Sequence, residues 1–415
     1  MPHKKIKNIP KQIWFLFFSL YSTQYIGISI SILATVGHLF VLDNGTALDK
    51  LLIFILLLSF CPIFFKVLWA PFIDKYLKTS SGHYRNWLLI AQFLMMLCLF
   101  ASAFIDPVND YLLSSLVILF FSFMTATQDL ALSGLICNIF EEHERYLISS
   151  VKSGGSMLGK IIGGGVGVMF LLFPFIGRTG YMLSLSAILA FTWGQVWFFN
   201  EYKFSKNSRI SETTDKNYRE NIFSVWKGKK SWCALLVIIP FGILPSYSLI
   251  SPVLLYRVWP TDSNDIIIWT EVFGSMISLM AIFLGTRLLK KLTRKQSLSF
   301  SIIFHACCLL SFIPISLGYN NALLIYFSFF MYFVSLPFVF ISLSTIIMDN
   351  AASSIAPATA YNAQTAIGSV FGFIVVCLSL YYSLMWGYFV IITGSVVIAF
   401  FAAFLATRVV QNQSD

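Results

Sequence analysis

The chain has 415 residues, of which 58% are hydrophobic, 17% aromatic and only 11% charged, whereas about a quarter of the residues of an ordinary soluble domain are charged. So few charged side chains cannot cover a soluble surface, which excludes soluble globular, disordered and nucleic-acid-binding proteins. The composition predicts an all-α integral membrane protein, and the net charge of +10 needs an explanation within that class.

Long apolar runs bounded by charged residues, Pro, Gly or Asn predict twelve transmembrane helices, since about 20 apolar residues cross a bilayer. We expect spans at about residues 13 to 38, 50 to 72, 86 to 105, 112 to 138, 148 to 173, 180 to 200, 231 to 256, 266 to 287, 297 to 317, 322 to 348, 356 to 383 and 385 to 407. The first run is too long for a signal peptide and lacks a cleavage site, so we expect it to be retained.

The distribution of basic residues predicts the orientation. With both termini in the cytoplasm, most of the 28 Lys and Arg residues fall in cytoplasmic segments, and only Lys50, Arg178 and Arg257 fall in outer loops. This bias follows the positive-inside rule. Attraction of the basic face to anionic lipid then accounts for the net charge, with no need for nucleic acid.

One long polar segment divides the chain into two sets of six spans. We predict an N-terminal six-helix half at 1–200, a basic cytoplasmic linker at 201–230 and a C-terminal six-helix half at 231–415. Apolar residues at helical spacing predict a surface amphipathic helix in the linker, at Tyr218, Ile222, Phe223 and Trp226.

Glycine pairs in two spans favour an internal duplication. Gly155-x-x-x-Gly159 in the fifth span matches Gly368-x-x-x-Gly372 in the eleventh. The alternative is that small residues only allow close helix packing. The Gly154–Lys160 stretch is not a phosphate loop, because Ile161 replaces the required Ser or Thr.

Ionisable residues inside the predicted spans are few, and each costs about 2.5 to 3.5 kcal/mol at a helix centre. They are Lys66, Asp129, Lys160 and Glu271. We interpret them as lining a polar path, with Asp129 or Glu271 carrying protons and Lys160 contacting an anionic group of the substrate. Two alternatives stay open: Asp129 pairs with Lys160 or Lys66 and only fixes packing, or Lys66 reaches the inner interface.

Two blocks of sequence carry a family resemblance. The first reads Lys-Val-Leu-Trp-Ala-Pro-Phe-Ile-Asp-Lys over residues 66–75, followed by Gly-His-Tyr-Arg-Asn-Trp-Leu over 82–88; the second reads Ala-Thr-Gln-Asp-Leu-Ala over 126–131. With the predicted six-plus-six arrangement, they resemble the major facilitator superfamily. Within the superfamily they look like the branch that contains AmpG-type muropeptide permeases, acetyl-coenzyme A transporters and RhtX/FptX siderophore importers, and they look most like the siderophore group. Ala70 replaces a signature Gly, and Ser133 stands where many relatives have a second acid.

The resemblance implies roles for individual residues. Asp74 is expected to latch the two halves on the cytoplasmic side, near the start of the eleventh helix, with Lys75, Arg85 and Arg145 as further gate residues. Gln128 joins Asp129, Lys160, Glu271 and Lys66 as candidates for substrate binding or proton coupling.

The predicted function is proton-driven import of a siderophore across the bacterial inner membrane. A muropeptide permease is the alternative, and an acetyl-coenzyme A carrier is third because so few cationic residues are available for its phosphates. No hydrolase, transferase, metal or cofactor motif is present, so we expect neither an enzyme nor a cofactor; an embedded acyltransferase or a non-transporting receptor are the competing classes. The expected partners are a small molecule and membrane lipid, with the protein a monomer.

Overall fold

The computed structural model describes residues 9–41, 61–79, 82–106, 109–165, 177–204, 230–245, 272–319 and 321–410. Within these ranges the regular elements are helices, apart from one isolated β-bridge between Thr79 and Gly82. Four features predicted from the sequence lie outside the described residues: Lys50, Arg257, Glu271 and the amphipathic part of the linker.

The N-terminal half contains seven described helices: α1 (Lys11–Val41), α2 (Cys61–Phe65), α3 (Ala70–Lys75), α4 (Tyr84–Ser102), α5 (Tyr111–Ile139), α6 (Arg145–Lys160) and α7 (Gly177–Phe198). A 3-10 turn at Lys66–Leu68 separates α2 from α3, and a π turn at Ile161–Gly165 continues α6.

The C-terminal half also contains seven described helices: α8 (Lys230–Ile243), α9 (Gly274–Leu289), α10 (Arg294–Leu309), α11 (Ile313–Ser316), α12 (Ala322–Ala351), α13 (Pro357–Trp386) and α14 (Tyr388–Val409). A 3-10 turn at Leu310–Phe312 joins α10 to α11.

Eight helices of the described ranges are long and apolar enough to cross a membrane. They correspond to the predicted spans one, three, four, six, nine, ten, eleven and twelve. The other four predicted spans are each interrupted by residues outside the described part, so the count of twelve and the cytoplasmic termini stay predictions.

Helix packing follows the same pattern in both halves. In the N-terminal half α1 packs on α6, and α4 packs on α5 and α7. The corresponding pairs in the C-terminal half are α8 with α13, and α10 with α12 and α14. Contacts between the halves are paired in the same way, since α6 packs on α9 and α12 while α13 packs on α3 and α5. The fold is therefore two similar helix bundles that meet along α3, α5, α6, α9, α12 and α13.

Glycines on α6 allow an unusually close approach to α1. A Cβ atom added at Gly155, Gly159 or Gly163 would lie less than 3.0 Å from backbone atoms of α1. The close-packing interpretation of the first glycine pair is therefore confirmed. The second pair is not equivalent, because a Cβ at Gly368 would meet open space.

Local sequence signals set the helix starts that face the junction between the halves. Thr293 and Gln296 form a reciprocal capping box at the start of α10. Pro357 occupies the first turn of α13, where its missing N–H costs no helical hydrogen bond. The following N–H groups of Ala358 and Thr359 still need acceptors from outside their own helix.

Candidate functional site

Asp74, at the end of α3, supplies those acceptors. Its carboxylate accepts hydrogen bonds from the Ala358 N–H at 3.2 Å, the Thr359 N–H at 2.8 Å and the Thr359 hydroxyl at 2.6 Å, and another from the Tyr84 hydroxyl. Burial raises the pKa of the Asp74 carboxyl above its ordinary value, although the bonds from Thr359 and Tyr84 favour the charged form. Asp74 therefore joins the N-terminal half to the start of α13, which is the position the family resemblance implies. We call this the Asp74 contact.

A second contact between the halves is centred on Asp349 of α12. Its carboxylate accepts a hydrogen bond from Arg145 of α6 at 2.5 Å and another from Arg294 of α10 at 2.7 Å. Arg294 also donates to the carbonyl of Glu142 at 2.8 Å and stacks on the Tyr146 ring. We call this the Asp349 contact. Arg145 was predicted as a gate residue, whereas Asp349 and Arg294 were not found from the sequence.

The two contacts are related by the similarity of the halves. In the Asp74 contact, Asp74 follows the second predicted span and meets the start of α13, which is the eleventh predicted span. In the Asp349 contact, Arg294 follows the eighth predicted span and donates to Glu142, just before α6, which is the fifth predicted span. Both contacts lie at one end of the bundle, which we call the basic end, and they hold the two halves together there.

Two other predicted gate residues have different positions. Arg85 lies within the N-terminal half, where it donates to the carbonyls of Val196 at 3.1 Å and Trp197 at 2.5 Å. This differs from its predicted role, because an Arg in the first turn of α4 reaches the end of α7 and not the opposite half. Lys75 is exposed, with its ammonium group 5.6 Å from the Tyr76 ring centroid.

Deeper in the N-terminal half, Lys66 and Asp129 form a buried ion pair. Lys66 occupies the 3-10 turn between α2 and α3, and Asp129 lies in the middle of α5; each side chain is only 11% exposed. The alternative in which Lys66 reaches the inner interface is therefore wrong. Of the two pairings considered for Asp129, the structure forms the one with Lys66.

The neighbours of Asp129 connect it to two other helices. The Gln128 amide donates to the Leu20 carbonyl at 2.9 Å, so Gln128 joins α5 to α1. Ser133 donates to the backbone carbonyl of Asp129 and accepts from the Asn362 amide at 3.0 Å. Since Asn362 belongs to α13, the helical turn that carries Asp129 is hydrogen-bonded to the opposite half.

Lys152 of α6 is a partly buried cation that was not predicted from the sequence. Its ammonium group donates to the Tyr361 hydroxyl at 2.9 Å and lies 4.8 Å from that ring centroid and 5.5 Å from the ring centroid of Tyr21. Tyr361 is further hydrogen-bonded to Ser344 at 2.9 Å. Both rings are almost completely buried. We call Lys152, Tyr21 and Tyr361 the Lys152 cage, which spans both halves.

One further predicted residue of the described part of the chain is not brought into this group. Lys160 lies at the end of α6, partly buried, two helical turns beyond Lys152. Glu271 lies outside the described residues. The described structure therefore brings together Lys66 and Asp129, and places the Lys152 cage within electrostatic range of Asp129.

The sequence family fits this architecture of paired helix bundles. A profile of the Major Facilitator Superfamily matches residues 13–380. The chain belongs to this superfamily. Solved structures of the superfamily share the fold: the proton:xylose symporter XylE has a TM-score of 0.69 at 12% identity, covering 97% of this chain and 96% of XylE. FucP in the outward conformation has a TM-score of 0.65 at 13% identity, covering 96% and 99%.

Sequence relatives include an anhydromuropeptide permease and putative transporters that carry the AmpG name. The anhydromuropeptide permease of Escherichia coli K12 is 20% identical over 235 residues, covering 56% of this chain and 47% of the permease. The putative transporter AmpG 1 of Rickettsia bellii is 23% identical over 279 residues, covering 64% and 67%. The chain thus spans about half the length of its E. coli relative. The chain is therefore a transporter of the Major Facilitator Superfamily and a multi-pass protein of the inner membrane, with relatives that carry the AmpG name.

Proposed function

We propose that this protein is a proton-coupled secondary transporter that imports an anhydromuropeptide across the bacterial inner membrane. The substrate class is supported by the name of the E. coli relative. Siderophore import, the function first predicted from the sequence, has no such support among these relatives. We therefore propose the muropeptide alternative instead.

The Lys66–Asp129 ion pair is the observation that carries the coupling. Removing two charges from water costs several kcal/mol per ion, about as much as their attraction returns, so such a pair is weak evidence for a stabilising role. Ionisable groups at membrane depth mark proton or substrate pathways much more often. Protonation would neutralise Asp129 and leave the Lys66 ammonium without its counter-ion, which favours a rearrangement around the turn between α2 and α3.

Hydrogen bonds connect the site of this rearrangement to the opposite half. The helical turn that carries Asp129 is bonded through Ser133 to Asn362 of α13. The first turn of α13 also holds the Asp74 contact, since Thr359 lies only three residues before Asn362. A change in the charge of Asp129 therefore acts on the helix whose start closes the basic end.

Alternating access follows from the two contacts at the basic end. The positive-inside rule assigns this end to the cytoplasm, so the described conformation is closed on the cytoplasmic side. Release of the Asp74 and Asp349 contacts opens it there. In this scheme Asp129, with Glu271 as a second candidate, carries the proton, and the halves exchange between the two open states.

Uptake by purified protein in proteoliposomes tests the proposal. We expect accumulation of radiolabelled anhydromuropeptide when the outside is acidified, and loss of accumulation on addition of a protonophore. Asp129→Asn should bind substrate but fail to concentrate it, whereas Asp110→Asn, at an exposed carboxylate before α5, should behave as the parent. Absence of binding by the parent protein would overturn the substrate class. Gradient-driven accumulation by Asp129→Asn combined with Glu271→Gln would overturn the assignment of the coupling residues.

A further inference from the structure

Among Lys66, Asp129 and Lys152 there are two cations and only one anion. Asp129 is neutralised by Lys66. Lys152 has no carboxylate within ion-pair distance among the described residues, and its described partners are the hydroxyl and ring of Tyr361 and the ring of Tyr21. Lys66, Asp129 and Lys152 together therefore carry one net positive charge, and Lys152 is partly removed from water. A partly desolvated cation is stabilised by a nearby anion.

Aromatic rings compensate this cation only in part. Cation–π contacts contribute about 0.5 to 2 kcal/mol each in proteins, much less than the desolvation of an ammonium group. An ammonium group has three N–H donors, and the described structure uses one of them, toward the Tyr361 hydroxyl. Lys152 is therefore held in position with donors available for a ligand.

A second donor lies beside Lys152. The Tyr21 hydroxyl is completely buried and has no hydrogen-bond partner in the described part of the chain. Buried hydroxyl groups nearly always have a partner, so an unpaired one marks a place where another group binds. The hydroxyl of a tyrosine whose ring centroid lies 5.5 Å from an ammonium group is a suitable second donor for a carboxylate, whose two oxygens accept hydrogen bonds while its charge balances the cation.

We infer that Lys152 and Tyr21 form the subsite that binds a carboxylate of the transported substrate, with Tyr361 as the group this carboxylate replaces. The inference rests on the proposed function, since it assigns a subsite to the same transport pathway. It also moves the anion-binding role from Lys160, where the sequence placed it, to Lys152. Because Tyr361 belongs to the opposite half, a bound carboxylate removes one hydrogen bond between the halves.

The subsite can be tested with two forms of one ligand. The probes are an anhydromuropeptide with free carboxylates and the same compound with every carboxylate converted to a primary amide, titrated into the protein in nanodiscs by calorimetry. The parent protein should bind the acid form at least tenfold more tightly than the amide form. Lys152→Gln should remove this preference by weakening binding of the acid form about tenfold, with little effect on the amide form.

Matched variants separate this role from a structural one. Lys160→Gln, two turns along the same helix, should keep the parental preference, and Tyr21→Phe should reduce it without loss of folded protein. Tyr361→Phe should retain the preference, because the carboxylate replaces its hydroxyl.

Equal loss of both ligand forms in Lys152→Gln would show that Lys152 only supports packing, and loss of the preference in Lys160→Gln would return the role to Lys160; either result overturns the inference alone. If the parent binds neither form, the proposed function fails and the inference fails with it.

Discussion

The guanidinium group of Arg145 and the carboxylate of Asp349 lie 2.5 Å apart across the boundary between the two halves. Arg294 holds the other oxygen of the same carboxylate. One buried anion thus compensates two cations, one from each half. Its removal leaves two like charges facing each other at the basic end.

Replacement of Asp349 with Asn should open the basic end. Breaking a buried ion pair from one side costs about 3 to 5 kcal/mol, and here the cost falls on the closed conformation. In a background without the seven native cysteines, Ser149→Cys, at a completely buried position on α6, should react faster with a maleimide applied from the cytoplasmic side. Asp110→Asn is the control, and an unchanged labelling rate would contradict the prediction.

Replacement of Asp74 with Asn should have a smaller effect in the same direction. The amide keeps one acceptor oxygen, so part of the hydrogen bonding to Ala358 and Thr359 remains. A loss of about 1 to 3 kcal/mol corresponds to a shift of about 5- to 150-fold toward the open basic end. Thr359→Val, which removes a single hydroxyl donor, should shift the equilibrium less, as measured by the same labelling. Parental labelling and transport in Asp74→Asn would mean that the contact has no part in gating.

Lys66 and Asp129 should be strongly coupled in stability. Lys66→Met and Asp129→Asn each leave one buried charge or polar group without its partner, which we expect to destabilise the protein by about 3 to 5 kcal/mol. The double variant should recover most of this loss, because no unpaired charge remains. Thermal unfolding in detergent measures the cycle. Additive losses in the double variant would show that the pair does not act as a unit.

The glycines of α6 should be sensitive to a single methyl group. Gly159→Ala places a Cβ against the backbone of α1 near Ser22, and overpacking of this kind costs about 1 to 3 kcal/mol. Gly194→Ala on α7 meets no atom within 4 Å and should stabilise the helix by about 0.5 to 1 kcal/mol. Melting temperatures of the two variants should therefore move in opposite directions, and equal shifts would refute the close-packing argument.

His83 should make stability depend on pH. Burial, together with the nearby Lys78 ammonium group, lowers the pKa of His83 from 6.5 to about 4. Between these values the unfolded chain binds a proton that the folded protein does not, so stability is full above pH 6.5 and falls as the pH drops toward 4, by up to about 3 kcal/mol. Between pH 7 and pH 5, the melting temperature of the His83→Gln variant should fall less than that of the parent protein. The exposed His143 serves as the control through His143→Gln.

The sequence predicted site residues whose presence in an apolar helix or in a known motif is unusual in itself. Lys66 and Asp129 stand out because a charge inside an apolar run is energetically unfavourable on any helix, and Asp74, at the end of α3, belongs to a recognisable sequence motif. The partners of these residues were harder to predict from the sequence. Lys66 and Asp129 are 63 positions apart and Asp74 and Thr359 are 285 apart, so only the packing of helices decides which groups meet.

Lys152 was missed for a related reason. It lies near the start of its predicted span, in a polar stretch where a lysine ordinarily reaches the cytoplasm. In the described part of the chain, the rings of Tyr21 on α1 and Tyr361 on α13 lie against it, and nothing in its own neighbourhood along the chain indicates them. Arg85 shows the opposite error, since its place in a gate-like motif suggested a contact with the other half, although its α4 lies against α7.

The row of glycines on α6 has a mechanical consequence for the Lys152 cage. Because α1 and α6 contact each other at backbone distance, we expect them to move together as one rigid unit in the proposed transport cycle. Tyr21 lies on α1 and Lys152 on α6, so we expect their separation to stay constant during that cycle. Tyr361 lies on α13 and moves with the opposite half. In the Lys152 cage we therefore expect the contact between Lys152 and Tyr21 to persist, while the contact between Lys152 and Tyr361 breaks and re-forms each time a substrate molecule passes.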